Sequence, residues 1–277
     1  MDNALVEVFA DTLRRVAYLP VQSCRYRGFS PVSGVGGGHD DAVGDAPTVV
    51  QIKNIDCIDE CLSLKRRYPS CKLGLLNMAS EFCPGGGVRK GSVAQEETIC
   101  RATSLYPSLI AHKDPLEPDE MIFSKDVRIV KDGSYSVLET PVVVEGVLTM
   151  PAIRRPLVTP QGRYASDADR ETMRNKIRII LRTALVHRLD TLVLGAMGAG
   201  AFGNPVEEVA ALFREALRGE FENRFRRVVF AILETRHPHR LNAAFGKAFG
   251  EKSDTDARNT GTDERQRQGW AATRWQR

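Results

Sequence analysis

The sequence predicts an α/β fold, a three-layer α/β/α domain built on a mixed, mostly parallel central sheet. From Thr48 onward, short β-branched runs alternate with stretches of helical periodicity. The strand runs are apolar throughout rather than alternating, which is the pattern of strands buried on both faces. Parallel neighbours need crossover helices, and the helical stretches supply them. A length of 277 residues is enough for one large domain or two small ones.

Residues 3–18 place Leu5, Val8, Phe9, Leu13 and Val16 at helical spacing behind the acidic Asp2, an amphipathic opening helix. Pro20 to Pro47, with Gly34, Gly36, Gly37, Gly38 and Gly44, is too polar and glycine-rich for a packed element and reads as a long mobile loop. Val49–Lys53 is a strand, Cys57–Arg67 a helix and Lys72–Met78 a second strand. A helix runs from Gln95 to about Leu105, and strands at Val127–Lys131 and Pro141–Thr149 flank a turn at Asp132–Gly133. Ser166 or Asp167 caps a long helix carrying Met173, Ile177, Ile180, Leu181, Ala184 and Leu185. Thr191–Ala196 is a buried strand, Val206–Leu217 a helix, Arg227–Leu233 the last strand and His239–Phe249 the closing helix. The organisation is residues 1–47 as a packed accessory of helix and glycine-rich loop, 48–249 as the core, and 250–277 as a disordered tail too polar to bury a core.

Composition narrows the function. With 39 Lys+Arg against 35 Asp+Glu, the net charge of +4 is too balanced for a dedicated nucleic-acid binder, though one local polyanion site is compatible with it. No run of 18 apolar residues and no signal-peptide pattern exists, so neither a membrane span nor a cleaved leader is expected. Six cysteines in so long a chain read as reduced thiols of a cytosolic protein. Cys57 and Cys61 share a helix face near His39 in sequence, but no second ligand pair completes a zinc site.

In such sheets ligands sit beyond the carboxyl ends of the strands, so the loops after Met78 and Ala196 should carry the chemistry. The first contains Pro84-Gly85-Gly86-Gly87 and, after a spacer, Gln95-Glu96-Glu97. Three glycines let the backbone come close to a ligand and present N–H groups, which suits a pyrophosphate. Glu96 and Glu97 are adjacent on a helix and point about 100° apart, so they should have different tasks. Their simplest role is to oppose the helix dipole. The second loop, Gly198-Ala199-Gly200-Ala201-Phe202-Gly203, spells G-x-G-x-x-G between a strand and a helix. A Rossmann site with Glu234 as the ribose acid is one reading. The motif lies too late in the chain for that, and two glycine loops enclosing one elongated diphosphate fit better.

PGGGVRKGSVAQEE, residues 84–97, resembles the signature of macrodomains of the microbial poly(ADP-ribose) glycohydrolase type: three glycines, a spacer of seven residues here, then Gln-Glu-Glu. LLNMASEFCPGGG, TSLYPSL at 103–109 and LVLGAMGAGAFGNP at 192–205 are similar to the same family, and the likeness runs from about Thr48 to Phe249. The resemblance implies a macrodomain-like fold, with Glu97 as the catalytic glutamate and Glu96 binding and orienting the distal ribose hydroxyls. It implies that Gly85, Gly86, Gly87 and the signature's Gln95 line the distal ribose and diphosphate, with Asn77 on the ribose side. Ser80 stands where many binding macrodomains carry a second asparagine. Gly198, Ala199, Gly200, Ala201 and Gly203 would wrap the diphosphate, and Phe202 would pack on the distal ribose. Asn54 falls where other macrodomains place an adenine-reading aspartate, and residues 150–163 depart from the family's pattern.

The implied reaction is hydrolysis of ribose–ribose O-glycosidic bonds in poly(ADP-ribose), releasing ADP-ribose. Glu97 would give a proton to the leaving 2′-oxygen and then activate water, which demands a pKa raised towards neutral. An alternative is removal of a single ADP-ribose from a modified protein side chain. A third reading, binding without turnover, leaves the glutamate pair without a task. The expected partner is ADP-ribose polymer or ADP-ribosylated protein, met by a cytoplasmic monomer with no cofactor, metal, membrane or sequence-specific nucleic acid; delivery by a specialised secretion system stays open. Arg89, Lys90, Arg154, Arg155 and Arg163 are candidates for steering a polyanion.

Overall fold

The computed structural model describes residues 3–28, 46–112, 114–235 and 238–250. The elements run α1 (Asn3–Val16), β1 (Ser23–Arg27), β2 (Val49–Lys53), α2 (Cys57–Arg67), β3 (Leu73–Ala79), α3 (Gln95–Ala102) and α4 (Leu105–Ile110). They continue as β4 (Glu120–Lys131), β5 (Val137–Pro151), α5 (Asp167–Val186), β6 (Thr191–Leu194), α6 (Val206–Arg218), β7 (Arg227–Ala231) and α7 (Arg240–Phe249). One seven-stranded sheet has the order β1-β4-β5-β3-β6-β7-β2. Its β1–β4 and β4–β5 pairs are antiparallel and the rest are parallel.

Period-two alternation along each strand splits the core. Leu73, Leu75, Val193, Val229 and Ala231 face α1 to α4, whereas Leu76, Leu192, Leu194, Val228 and Phe230 face α5 to α7. Helix starts follow local chemistry. The Asp56 side chain accepts from the Ile58 N–H at 2.9 Å, with Asp59 and Glu60 in the first turn of α2 and Lys65, Arg66 and Arg67 in its last. Ser166 does the same for α5, accepting from Asp169 N.

Three expectations change. The stretch 20–47 is not all loop: Ser-Cys-Arg-Tyr-Arg at 23–27 is an edge strand on β4, hidden in sequence because an edge strand half open to water needs no apolar run. Residues 29–45 of that stretch, with His39, lie outside the described residues, as does the tail beyond Gly250. The helix expected over 95–105 is two helices. Thr103 is extended, bridges Ile129, accepts from Leu105 N at 3.1 Å and donates to Ile99 O at 2.8 Å, which turns the chain. Strands β4 and β5 are a long hairpin, reaching well beyond the segments the β-branched runs marked.

Opening helix α1 packs on the layer that carries α3. Phe9 meets the Tyr106 ring edge-on, the Thr12 hydroxyl donates to Arg101 O, and the buried Lys131 ammonium bonds Val8 O and Asp11. Strands β2, β3, β5, β6 and β7 all run the same way, so the loops after them converge on one rim of the sheet.

Candidate active site

On that rim, α3 is tied to β3 by Gln95. Its carboxamide donates to Leu76 O at 2.7 Å and accepts from Met78 N at 2.8 Å, occupying backbone groups of β3 as another strand would. Glu96 and Glu97 are thereby carried into the interior at the first turn of α3, only 4% and 7% exposed. Glu96 accepts from Ser80 N at 2.9 Å, Gly85 N at 3.1 Å and the Asn77 amide at 3.5 Å, while Asn77 also donates to Thr149 Oγ1 on β5. Burial pushes the Glu96 carboxyl up to about 7, against the pull of the two backbone N–H groups.

Glu97 is held differently. Its Oε1 accepts from Gly87 N at 2.8 Å, and its Oε2 is buried with no hydrogen-bond partner among the described residues. That asymmetry distinguishes the two neighbours: Glu96 is anchored at both oxygens, and Glu97 keeps one oxygen uncommitted. The glycines make room for this. At Gly86, φ is +56° and a Cβ would lie 2.5 Å from Glu97 Oε1 and 3.2 Å from Glu96 Oε2, so a side chain there would displace the Glu97 carboxylate. The N–H groups of the triplet are not presented outward as the sequence suggested. Gly85 and Gly87 donate to the glutamates and Gly86 donates to Cys83 O.

The second loop does what the first was expected to do. The N–H groups of Gly200, Ala201 and Phe202 have no partner among the described residues, and a Cβ added at Gly200 or Gly203 would meet nothing within 4 Å. Consecutive free amides around an open space, just before α6, have the geometry an anion cradle requires. Its shape is set from beneath by the buried Asn204. That amide donates to Ile153 O at 2.7 Å and Gly198 O at 3.2 Å, and its oxygen accepts from Tyr164 OH at 2.9 Å. Gly198, at φ +70°, allows Asn204 and Ala152 to approach.

A third strand end joins the two loops. Arg154, after β5, makes a bidentate pair with Glu81 at 2.7 and 2.9 Å and stacks 4.4 Å from the Phe202 ring centroid and 5.7 Å from that of Phe82. Arg155 N donates to Phe202 O at 2.7 Å.

The chain as a whole has relatives among known proteins. The family model described as "Microbial-type PARG, catalytic domain" matches residues 27–132. The poly(ADP-ribose) glycohydrolase of Thermomonospora curvata is 28% identical over 89% of this chain and all of that one, with a TM-score of 0.76. A structure of that enzyme bound to the inhibitor ADP-HPD gives 26% identity over 88% of this chain and 99% of that one, at a TM-score of 0.74. The Deinococcus radiodurans enzyme in complex with ADP-ribose is 30% identical over 73% of this chain and 84% of that one, with a TM-score of 0.64. The chain belongs to the microbial poly(ADP-ribose) glycohydrolase family. No curated protein matches it.

Against the macrodomain-like fold of that family, the sequence-derived site residues fall into groups. Glu96, Glu97, Asn77, Gly85, Gly86 and Gly87 come together at the end of β3, and Gly198 to Gly203 face them from the end of β6. Gln95 spends its carboxamide on the β3 backbone, which carries the pair into place. Asn54 lies at the far end of the rim, where it exchanges hydrogen bonds with Glu234 backbone and approaches His239. Glu234, the acid of the Rossmann alternative, caps α7 through Leu241 N and Asn242 N. Of the candidate steering cations, Arg89 donates to Tyr106 OH, Arg154 pairs Glu81 and Arg163 approaches Glu208. Cys57 and Cys61 are buried thiols whose pKa burial raises. Sequence reasoning missed Asn204, Tyr164, Glu81 and Phe82. Of these, only Asn204 carried a signal, as the polar residue closing the second glycine motif.

Proposed function

We propose that this chain hydrolyses the ribose–ribose O-glycosidic bonds of poly(ADP-ribose) and releases ADP-ribose, with Glu97 as general acid and then general base. The observation that carries this reading is the Glu97 carboxyl, one oxygen pinned by Gly87 N–H and the other buried with no hydrogen-bond partner among the described residues. The pinned oxygen fixes the orientation, so the proton travels on Oε2. That oxygen delivers it to the departing 2′-oxygen as the C1″–O bond breaks and the ribose takes up positive charge. The carboxylate so formed takes a proton from water as the water attacks C1″, and Glu97 returns to its starting form. Glu96, anchored by Ser80 and Gly85 N–H groups, holds the ribose hydroxyls.

The free amides of Gly200, Ala201 and Phe202 receive the diphosphate, and the Phe202 ring packs on the distal ribose. From β3 through β6 and β7 to β2 is three strand spacings, about 14 Å. An elongated ligand laid along the rim therefore places its adenosine towards Asn54. Every group invoked comes from one chain, so we propose a monomer acting alone. Six free cysteines suit a reducing compartment such as the cytoplasm.

Poly(ADP-ribosyl)ated protein incubated with the enzyme should shorten, with free ADP-ribose as the product resolved by chromatography. Intact chains alongside clearance of mono-ADP-ribosylated proteins would overturn the substrate in favour of single-unit removal.

A further inference from the structure

Phe82 is 64% exposed, an unusual state for a phenylalanine, yet it does not hang free. The Arg154 guanidinium lies over its ring at 5.7 Å, and the same guanidinium is fixed by both oxygens of Glu81 and backed by the Phe202 ring at 4.4 Å. The three loops at this corner thus build a stack of Phe202, Arg154 and Phe82, held at one side and open at the other. Phe82 immediately precedes the turn in which Gly86 N donates to Cys83 O at 2.8 Å, and Gly86 is the residue pressed against the Glu97 carboxylate. The open ring is therefore carried by the same loop that presses on the Glu97 carboxylate, four residues before Gly86, and it meets the second glycine loop through Arg154 and Phe202.

Resting on the reaction proposed above, we propose that Phe82, carried on Arg154, is a base-stacking subsite for the adenine of the unit that leaves. The leaving 2′-oxygen belongs to an adenosine ribose, so the first base on the leaving side lies one sugar ring from the reacting carbon. An exposed aromatic ring stiffened by a cation offers that base a face of low entropic cost. The terminal ADP-ribose, seated on the second glycine loop, does not use this face. The subsite gives the enzyme grip on a chain that a lone ADP-ribose cannot exploit.

The test compares Phe82→Ala and Phe82→Trp with the parent in steady-state hydrolysis of poly(ADP-ribose) and in calorimetric binding of free ADP-ribose. Phe82→Ala should raise KM for the polymer roughly 5- to 100-fold, the range for losing one base–aromatic stack. It should leave kcat and ADP-ribose affinity within about twofold, and Phe82→Trp should restore the parent KM. An unchanged polymer KM in Phe82→Ala overturns the subsite, and so does an equal loss of free ADP-ribose affinity, which would assign the ring to the terminal unit. If the parent itself leaves the polymer uncut, the proposed reaction fails instead, and that result is read before any variant.

Discussion

Replacing Gly86 by alanine separates the two things the first loop does. At φ +56° an L side chain costs about 1–2 kcal/mol in backbone strain. The new methyl would begin 2.5 Å from Glu97 Oε1, where ordinary contact starts near 3.4 Å, so the carboxylate must retreat by about 1 Å. Because that carboxylate is a flexible side-chain end, the move is cheap for the fold and expensive for the chemistry. A displacement of that size costs on the order of 100-fold in turnover. Gly250→Ala is the matched control: φ is +77° and nothing lies within 4 Å, so it carries the same backbone strain with no group to push. Thermal melts should show similar losses of stability for both variants, and ADP-ribose release should fall about 100-fold in Gly86→Ala alone. Activity of Gly86→Ala within threefold of the parent would refute the geometry on which the glutamate assignment stands.

Other outcomes follow from the same contacts. Gln95→Ala, which strips both hydrogen bonds from the β3 backbone, should cost about 1–3 kcal/mol in urea titration, and an unshifted midpoint would deny Gln95 its tie. Asn204→Ala should destabilise by a similar amount and raise the KM for polymer, because the amide cradle loses its support from Ile153, Gly198 and Tyr164; an unaltered KM would mean that the loop holds its own shape. Glu96, raised from 4.5 to about 7, stays protonated in the folded chain over a window where the unfolded chain has lost that proton. The folded state then binds more protons, so stability falls as pH rises through that window, by up to about 3 kcal/mol. Glu96→Gln should flatten this slope in melts at pH 5 and pH 8, and parallel slopes for parent and variant would contradict the raised pKa.

Much of this is legible in the sequence. Strand β2 and helix α2 fall on the predicted residues, because an apolar run and an Asp-capped amphipathic stretch are both local signals. Both glycine loops were visible as composition, and the order of strands placed them on one rim. What the sequence does not carry depends on residues far apart along the chain. The edge strand β1 is defined by its partner β4, and the break at Thr103 by a bridge to Ile129. Gln95 reads as a first-turn residue until Leu76 and Met78 are beside it, and Arg154 reads as a solvated cation until Glu81 and Phe202 enclose it. The inward turn of the first-loop amides was likewise invisible, since glycine in sequence says that backbone may come close and not what comes close to it.

The central assignment is that Glu97 Oε2 moves the proton. The most direct test is single-turnover cleavage of poly(ADP-ribose) by Glu97→Gln under saturating enzyme, with calorimetric binding of ADP-ribose measured on the same preparation. The amide keeps the bond to Gly87 N and the volume of the side chain but cannot release and retake a proton. Cleavage should fall by about 100- to 10,000-fold while ADP-ribose affinity stays within a few fold. Cleavage at near-parental rates would contradict the account and shift the chemistry to another group.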